Sequence, residues 1–247
     1  MTGSLSGKVA IVTGGSRGIG RALAESLALD GAAVVINYSA DTVAAADTVR
    51  AITESGGSAD SIRADIAEPR SAAEIFAFAD KRFGRPDILV CNAGVAAVTP
   101  LTAITESAYD RIFAVNVRSL VFLLKSAATS LNDHGRIVAI SSTIAAFPRD
   151  GMALYASSKA AVRALTEVAA IELGPRGITA NCVLPGLVET EMIAGLPAEY
   201  RKAVASSSPF GRIGMPDDIT GVVKFLASDE ARWITGQSII ANGGARR

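Results

Sequence analysis

Short apolar runs alternate with longer amphipathic stretches along the whole chain. The short runs, Val9–Val12, Ala33–Ile36, Ser58–Ile62, Ile88–Cys91, Arg136–Ile140, Thr179–Leu184 and Ser238–Ala241, predict strands. Between them lie helical patterns at Ile19–Leu29, Thr42–Glu54, Ser71–Phe83, Tyr109–Leu131, Tyr155–Leu173 and Pro216–Leu226. Ser71 followed by Glu74 fits a capping box and predicts a helix start there. Asp217 and Asp218 sit where carboxylates favour a helix N-terminus. Mostly apolar strands separated by helices imply a parallel sheet covered on both faces. No linker, repeat or low-complexity tract divides the chain, so one doubly wound α/β domain of Rossmann type is expected. Residues 187–214 break the rhythm, with Gly195, Pro197, Pro209, Gly211 and the run Ser206–Ser208 in loop-like positions. Loops at the carboxyl ends of strands line the ligand crevice of such a sheet, and this segment is expected to form a substrate lid.

Composition narrows the function. Hydrophobic residues make up 49% of the 247, and Lys+Arg and Asp+Glu total 24 each. A chain without net charge or like-charge blocks offers no surface for nucleic acid or an anionic membrane. The first apolar run is too short for a signal peptide, and no run approaches the ~18 apolar residues of a span. A cytoplasmic protein without membrane contact is expected. Cys91 and Cys182 have neither metal-ligand spacing nor disulfide density; both are expected as free, buried thiols, with no metal site.

The candidate chemistry begins at Thr13-Gly14-Gly15-Ser16-Arg17-Gly18-Ile19-Gly20, which follows the first strand and opens the first helix. A turn this tight needs positive φ, and backbone that approaches a pyrophosphate leaves no room for Cβ. The helix N-terminus then offers free N–H groups to phosphates. A second reading takes Gly14, Ser16 and Gly18 as the G-x-S-x-G turn of a serine hydrolase. It needs a histidine after the acid, and the only histidine, His134, lies in the polar turn Asn132–Gly135. The second strand ends Ile36-Asn37-Tyr38-Ser39 without the carboxylate that would bind an NAD ribose, and Asp41 comes later, in the following helix. Arg17 is placed to meet a 2′-phosphate, with Ser16, Asn37 and Ser39 as neutral donors. NADP(H) is therefore the expected cofactor.

Tyr155 and Lys159 stand at i and i+4 on one helix face. A free tyrosine titrates near ~10, and a nearby ammonium would lower that value toward what a general acid/base needs. Alone the pair carries little information. Together with Thr13-Gly-x3-Gly18-x-Gly20, Asp65, Asn92-Ala93-Gly94, Asn116, Ser142, Pro185-Gly186 and Thr190, it resembles the classical short-chain dehydrogenase/reductase family nearly end to end. Ser142 precedes Tyr155 by thirteen positions, the family spacing.

That resemblance implies a seven-stranded parallel sheet and a homotetramer. It implies that Tyr155 protonates the carbonyl oxygen, that Ser142 hydrogen-bonds the same oxygen, and that Lys159 holds the nicotinamide ribose and favours phenolate. Asn116 would anchor a water linking Lys159 to solvent, or else act as a helix-kink residue bonded to backbone. Asp65 and Ile66 would contact adenine; Asn92, Ala93 and Gly94 would line the crevice; Pro185, Gly186, Val188 and Thr190 would clamp nicotinamide. Asp65 and Thr190 also read as a turn former and a helix cap. Ser141 rivals Ser142, but strand alternation lets only one face the site. The family often has a second Asn where this chain has Cys91.

The likeness is closest to 3-oxoacyl-carrier-protein reductases and related carbonyl reductases, so a small-molecule ketone or alcohol is the expected substrate. An NAD-dependent sugar or polyol dehydrogenase and a non-catalytic NADP-sensing regulator are the alternatives on the same fold. Arg176 is the one cation positioned to dock an acyl carrier protein. The wall Thr143–Pro148 is mostly apolar, Met192 adds an adaptable contact, and Arg149 could meet an anionic group. Apolar residues on more than one face of Tyr155–Leu173 fit a subunit interface, and Asn242-Gly243-Gly244 is expected to pack near it.

Overall fold

The computed structural model describes residues 3–245. Seven parallel strands form one sheet: β1 Val9–Thr13, β2 Ala33–Tyr38, β3 Ser58–Arg63, β4 Ile88–Cys91, β5 Arg136–Ile140, β6 Thr179–Pro185 and β7 Ser238–Ala241. Their spatial order is β3-β2-β1-β4-β5-β6-β7. The chain reverses direction across the sheet between β1 and β4, and that is where a crevice opens at the strands' carboxyl ends.

Helices α1 (Gly18–Leu29), α2 (Thr42–Glu54) and α8 (Pro216–Ala227) cover one face. Leu23, Leu27, Ile52, Ile219, Val223 and Leu226 pack there against Val12, Ile36, Val90 and Val138. Helices α3 (Pro69–Phe83), α4 (Glu106–Phe113), α5 (Ser119–Ser130) and α6 (Ala153–Leu173) cover the other. On that side Ile75, Leu123, Val162 and Leu173 meet Ile11, Leu89, Ile137 and Leu184. The inner strands are buried on both faces, which is why they read as unbroken apolar runs.

Several elements depart from the sequence pattern. Helix α3 starts at Pro69, whose fixed φ suits a first helical position. Ser71 is therefore inside the helix and caps nothing; its hydroxyl donates back to the Asp65 carbonyl at 2.6 Å. The expected helix Tyr109–Leu131 begins earlier, where Thr105 caps the N–H of Ala108. It is interrupted by a wide π-turn at Ala114–Arg118. The rod Glu106–Ser130 is long and apolar enough by length and composition to cross a membrane. Charged residues break its apolar runs in sequence, and it packs between α3 and α6 on the sheet.

The segment 187–214 contains a helix that the prolines concealed, α7 (Ala198–Ser207), which opens directly after Pro197. Arg201 pairs with Glu189 and Arg149 donates to the Tyr200 hydroxyl, so α7 is tied at both contacts to loops beside the crevice.

Cys91 and Cys182 are free and buried. Ala139 of β5 lies between them in register, which separates them by two strand spacings, about 10 Å, beyond disulfide reach. Arg176 does not present a docking cation. Its guanidinium bonds to the carbonyls of Ala128 and Leu131 and to Asp133, capping the C-terminal end of α5.

Asp218 accepts from the Met215 N–H at 2.6 Å and holds Arg212 through two bonds, which closes the N-terminus of α8 and anchors the end of the 187–214 segment. The Arg212 guanidinium and the Met215 N–H hold its carboxyl down at about 2. A depressed carboxyl stabilises the fold above its unfolded value of 3.8 and loses that contribution as pH falls toward 2. Asp218→Ala is expected to cost about 1 kcal/mol at pH 7, measured by urea unfolding. The difference from wild type should shrink progressively as pH falls from about 5 toward 1.

Candidate active site

The Gly-rich turn leaves β1 and enters α1 as the sequence requires, with φ of 63° at Gly14 and 54° at Gly18. It is fixed from three directions. The Gly15 N–H donates to the Asn37 carbonyl at 3.1 Å, and the Thr48 hydroxyl of α2 donates to the Ser16 carbonyl at 3.2 Å. Across the switch point, Asn92 donates to the carbonyls of Thr13 and Gly14. The buried Thr13 hydroxyl in turn accepts from the N–H groups of Asn92 and Ala93. Thr13 opens the motif read from the sequence; Thr48 is a working part of this turn that no motif singled out, because it looks like an ordinary threonine in an amphipathic helix.

No side chain caps the N-terminus of α1, so its first N–H groups face the crevice. The loop after β6 arches over them. A Cβ on Gly18 would stand 3.2 Å from Thr190 and 3.7 Å from the Glu191 carboxylate, so an anionic group already lies at this helix end. The open donors, the glycine cradle and the absence of a carboxylate on β2 fit a dinucleotide phosphate group.

At the end of β2, Arg17 and Ser39 are exposed and Tyr38 is half-buried. Asn37 is different: it is buried, and its amide donates to the Ala64 carbonyl at 2.9 Å, bracing β3 against β2 rather than presenting a donor to the crevice. Asp65 accepts from the Ala67 N–H, the turn-forming role, while Ile66 is buried in the core. Pro185 ends β6, and the Gly186 N–H donates to Ala241, which ties the loop to β7. Val188 bridges Gly214. Thr190 occupies a cap position of a short helical turn but makes no cap bond, and its hydroxyl donates to Val188.

The second cluster lies on the other side of the switch point. Ser142 follows β5, and Tyr155 and Lys159 stand on the first turns of α6. Ser141 points away from the crevice and donates to the Lys159 carbonyl at 2.8 Å, leaving Ser142 as the serine that faces Tyr155. The Lys159 ammonium is buried and donates to the Ile140 carbonyl at 2.8 Å. It lies 5.9 Å from the centre of the Tyr155 ring. Gly94 leaves room here: a Cβ would stand 3.1 Å from that ammonium and 3.3 Å from the Asn116 amide oxygen, so both would have to shift.

Asn116 is buried in the π-turn. Its amide accepts from the Val95 N–H at 2.8 Å and donates to the Val95 carbonyl at 2.9 Å and to the Ser158 hydroxyl at 3.0 Å. Ser158 then donates to the Tyr155 carbonyl. Ser158 joins the π-turn to the tyrosine's own helix, and only its position beside Lys159 hinted at that. Both N–H donors of the Asn116 amide are thus engaged.

Burial sets the electrostatics. It pushes the Tyr155 phenol above 10.0, opposed by a hydrogen bond from Ser142. Burial also lowers Lys159 to about 8, opposed by the neighbouring thiols Cys182 and Cys91. The expectation that Lys159 shifts the phenol toward phenolate is not met in this state. The ammonium is directed at Ile140, so desolvation of the phenol prevails. Burial therefore favours the neutral phenol at Tyr155. Cys91 is itself raised to about 12, chiefly by burial, and stays a neutral thiol.

His134 does not meet Ser16. The histidine precedes β5 and packs on Gly177 at the amino ends of the strands, whereas Ser16 lies at their carboxyl ends. No hydrolase triad forms.

A family model described as "Enoyl-(Acyl carrier protein) reductase" matches residues 14–246. An uncharacterized oxidoreductase of Methylorubrum extorquens is 44% identical over 245 residues, covering 98% of this chain and 99% of its own. A hydroxynaphthalene reductase-like protein of Metarhizium brunneum is 40% identical, with 98% and 96% covered. A short-chain dehydrogenase of Burkholderia cenocepacia, solved in complex with NADP, superposes with a TM-score of 0.93 at 40% identity, covering 98% and 99% of the two chains. The glycine cradle, the seven-stranded sheet and these likenesses agree, and the chain belongs to the short-chain dehydrogenase/reductase family of oxidoreductases.

Proposed function

We propose that the protein is an NADP(H)-dependent reductase that moves a hydride between nicotinamide and a carbonyl/secondary alcohol pair. The observation that carries this reading is the meeting of Ser142 with Tyr155 above a buried Lys159. NADPH, when bound, supplies the hydride. Tyr155, held protonated by burial, donates its proton to the carbonyl oxygen, and the Ser142 hydroxyl positions that oxygen. Lys159, near 8, sits close enough to neutrality to restore the proton. Asn116, braced by Val95 and Ser158, holds the π-turn whose backbone would carry a water toward solvent.

NADP(H) over NAD(H) is supported by the exposed Arg17, which has no carboxylate partner among the described residues, and by the lack of an acid on β2. The Burkholderia relative crystallised with NADP supports the same choice. The substrate fits a free apolar ketone: the wall Thr143–Pro148 is mostly apolar and Arg149 is engaged with Tyr200. The hydroxynaphthalene reductase-like relative favours a ring ketone. The family-model description favours a second reading, a 3-oxoacyl group delivered on a carrier protein; that reading loses Arg176 as its docking cation. NADPH oxidation across ring ketones, β-ketoesters, acyl thioesters and sugars should give the highest kcat/KM for the uncharged ring ketones. Highest efficiency with carrier-borne thioesters would favour the second reading.

The outer face of α6 supports a homotetramer. Val168 is 49% and Ile171 78% exposed there, and Tyr109 and Val121 are exposed on the neighbouring rod. A homotetramer would cover them. Light scattering should return four chain masses for wild type, and Ile171→Glu should shift the protein toward smaller species.

Tyr155→Phe is expected to bind NADPH normally and to lose ~10²–10⁴ in turnover; retention of more than about a tenth would contradict the acid/base role. Lys159 supplies a pH test of a different kind. A lysine lowered to about 8 in the fold binds fewer protons folded than unfolded between 8 and its ordinary 10.5. Its unfavourable contribution is present in full below 8 and is relieved as pH rises through that window. Thermal unfolding should therefore show wild type gaining stability relative to Lys159→Met between pH 7 and pH 9.5.

A further inference from the structure

The end of β3 carries a guanidinium that the family motifs do not use. Arg63 is the last residue of β3 and stands in register with Tyr38 of β2. Strand alternation directs Arg63 to the same face as Ala59, and Tyr38 to the same face as Ile36. Both Ala59 and Ile36 belong to the core under α1 and α2. Arg63 thus lies on the face where Arg17 opens α1. Its Nε donates to the Ser39 carbonyl at 3.1 Å, which fixes the head of the side chain over the turn that follows β2.

The sheet order places this turn between two cations. β2 lies between β3 and β1, so Arg63 approaches the Ser39 turn from one side and the Arg17 turn approaches from the other. Neither arginine has a carboxylate partner among the described residues. The nearby acids are committed to backbone: Asp41 accepts from the Ala44 N–H and Asp65 from the Ala67 N–H. The remaining N–H donors of Arg63 are exposed. A guanidinium braced on a carbonyl, with its fork free and no acid to neutralise it, suits a phosphate dianion.

We propose that Arg63 is a cofactor-selecting residue, which binds the adenosine 2′-phosphate of NADP(H) opposite Arg17 while supporting the turn that carries Ser39. The proposal rests on NADP(H) as the cofactor. It adds a cation from β3 to a subsite that the motifs confine to the Gly-rich turn and the end of β2.

Binding measured by calorimetry separates the two claims. Wild type should bind NADP+ more tightly than NAD+; equal affinity would overturn the cofactor reading and this proposal with it. Given that preference, Arg63→Gln should weaken NADP+ by about tenfold, as for loss of one exposed charge-assisted bond, and leave NAD+ within about twofold. Adenosine 2′,5′-bisphosphate should lose the same factor, and 5′-AMP should lose none. Arg63→Lys should recover part of the loss, because the charge remains while the fork is gone. Unchanged NADP+ affinity in Arg63→Gln would overturn the role of Arg63 alone. An equal loss for NAD+ and 5′-AMP would also overturn it, since Arg63 would then serve the adenine or the turn, with no role at the phosphate.

Discussion

The site depends on a cation buried without an acid beside it. Lys159 is sealed beneath the carboxyl end of β5, and the bond it makes is to the Ile140 carbonyl. Taking an ammonium out of water without a carboxylate partner is costly, and the cost appears as a lowered pKa. The surroundings are built to tolerate it. Gly94 leaves room beside the ammonium, Ser141 grips the backbone of the lysine itself, and Asn116 holds the loop after β4 by bonding Val95 on both its N–H and its carbonyl. Perturbed groups of this kind gather where proton transfer is required.

The rest of the fold brings two half-sites to that lysine. β1 delivers the phosphate turn and β4 delivers Asn92-Ala93-Gly94, and these meet because the strand order reverses between them. Thr13 and Asn92 lock the halves together through four bonds across the reversal. β5 and α6 then place Ser142, Tyr155 and Lys159 on the far side. The π-turn is part of the same construction: widening the helix at Ala114–Arg118 turns Asn116 inward, and Ser158 ties it to α6.

Local patterns made much of this legible. The runs located all seven strands to within two residues, and the inner ones most plainly, since a strand buried on both faces has few polar positions to confuse it. The glycine turn and the Tyr155–Lys159 spacing could be read because each rests on a steric or geometric requirement of a few residues. What escaped depends on tertiary contacts. Ser71 looked like a cap, but Pro69 starts the helix earlier. α7 was hidden by flanking prolines and glycines. Asn37 looked like a free donor until β3 took its amide. Arg176 looked like a docking cation, but the end of α5 occupies it. The upward shift of Tyr155 could not be seen either, because the sequence shows the neighbouring lysine but not where its ammonium points.

The central claim is that burial holds Lys159 near neutrality. The direct measurement is an NMR titration of protein labelled with 13C at lysine Cε, with the Lys159 signal assigned by its loss in Lys159→Met. A midpoint near 8 is the predicted result. A midpoint at or above the ordinary lysine value of ~10.4 would contradict the account.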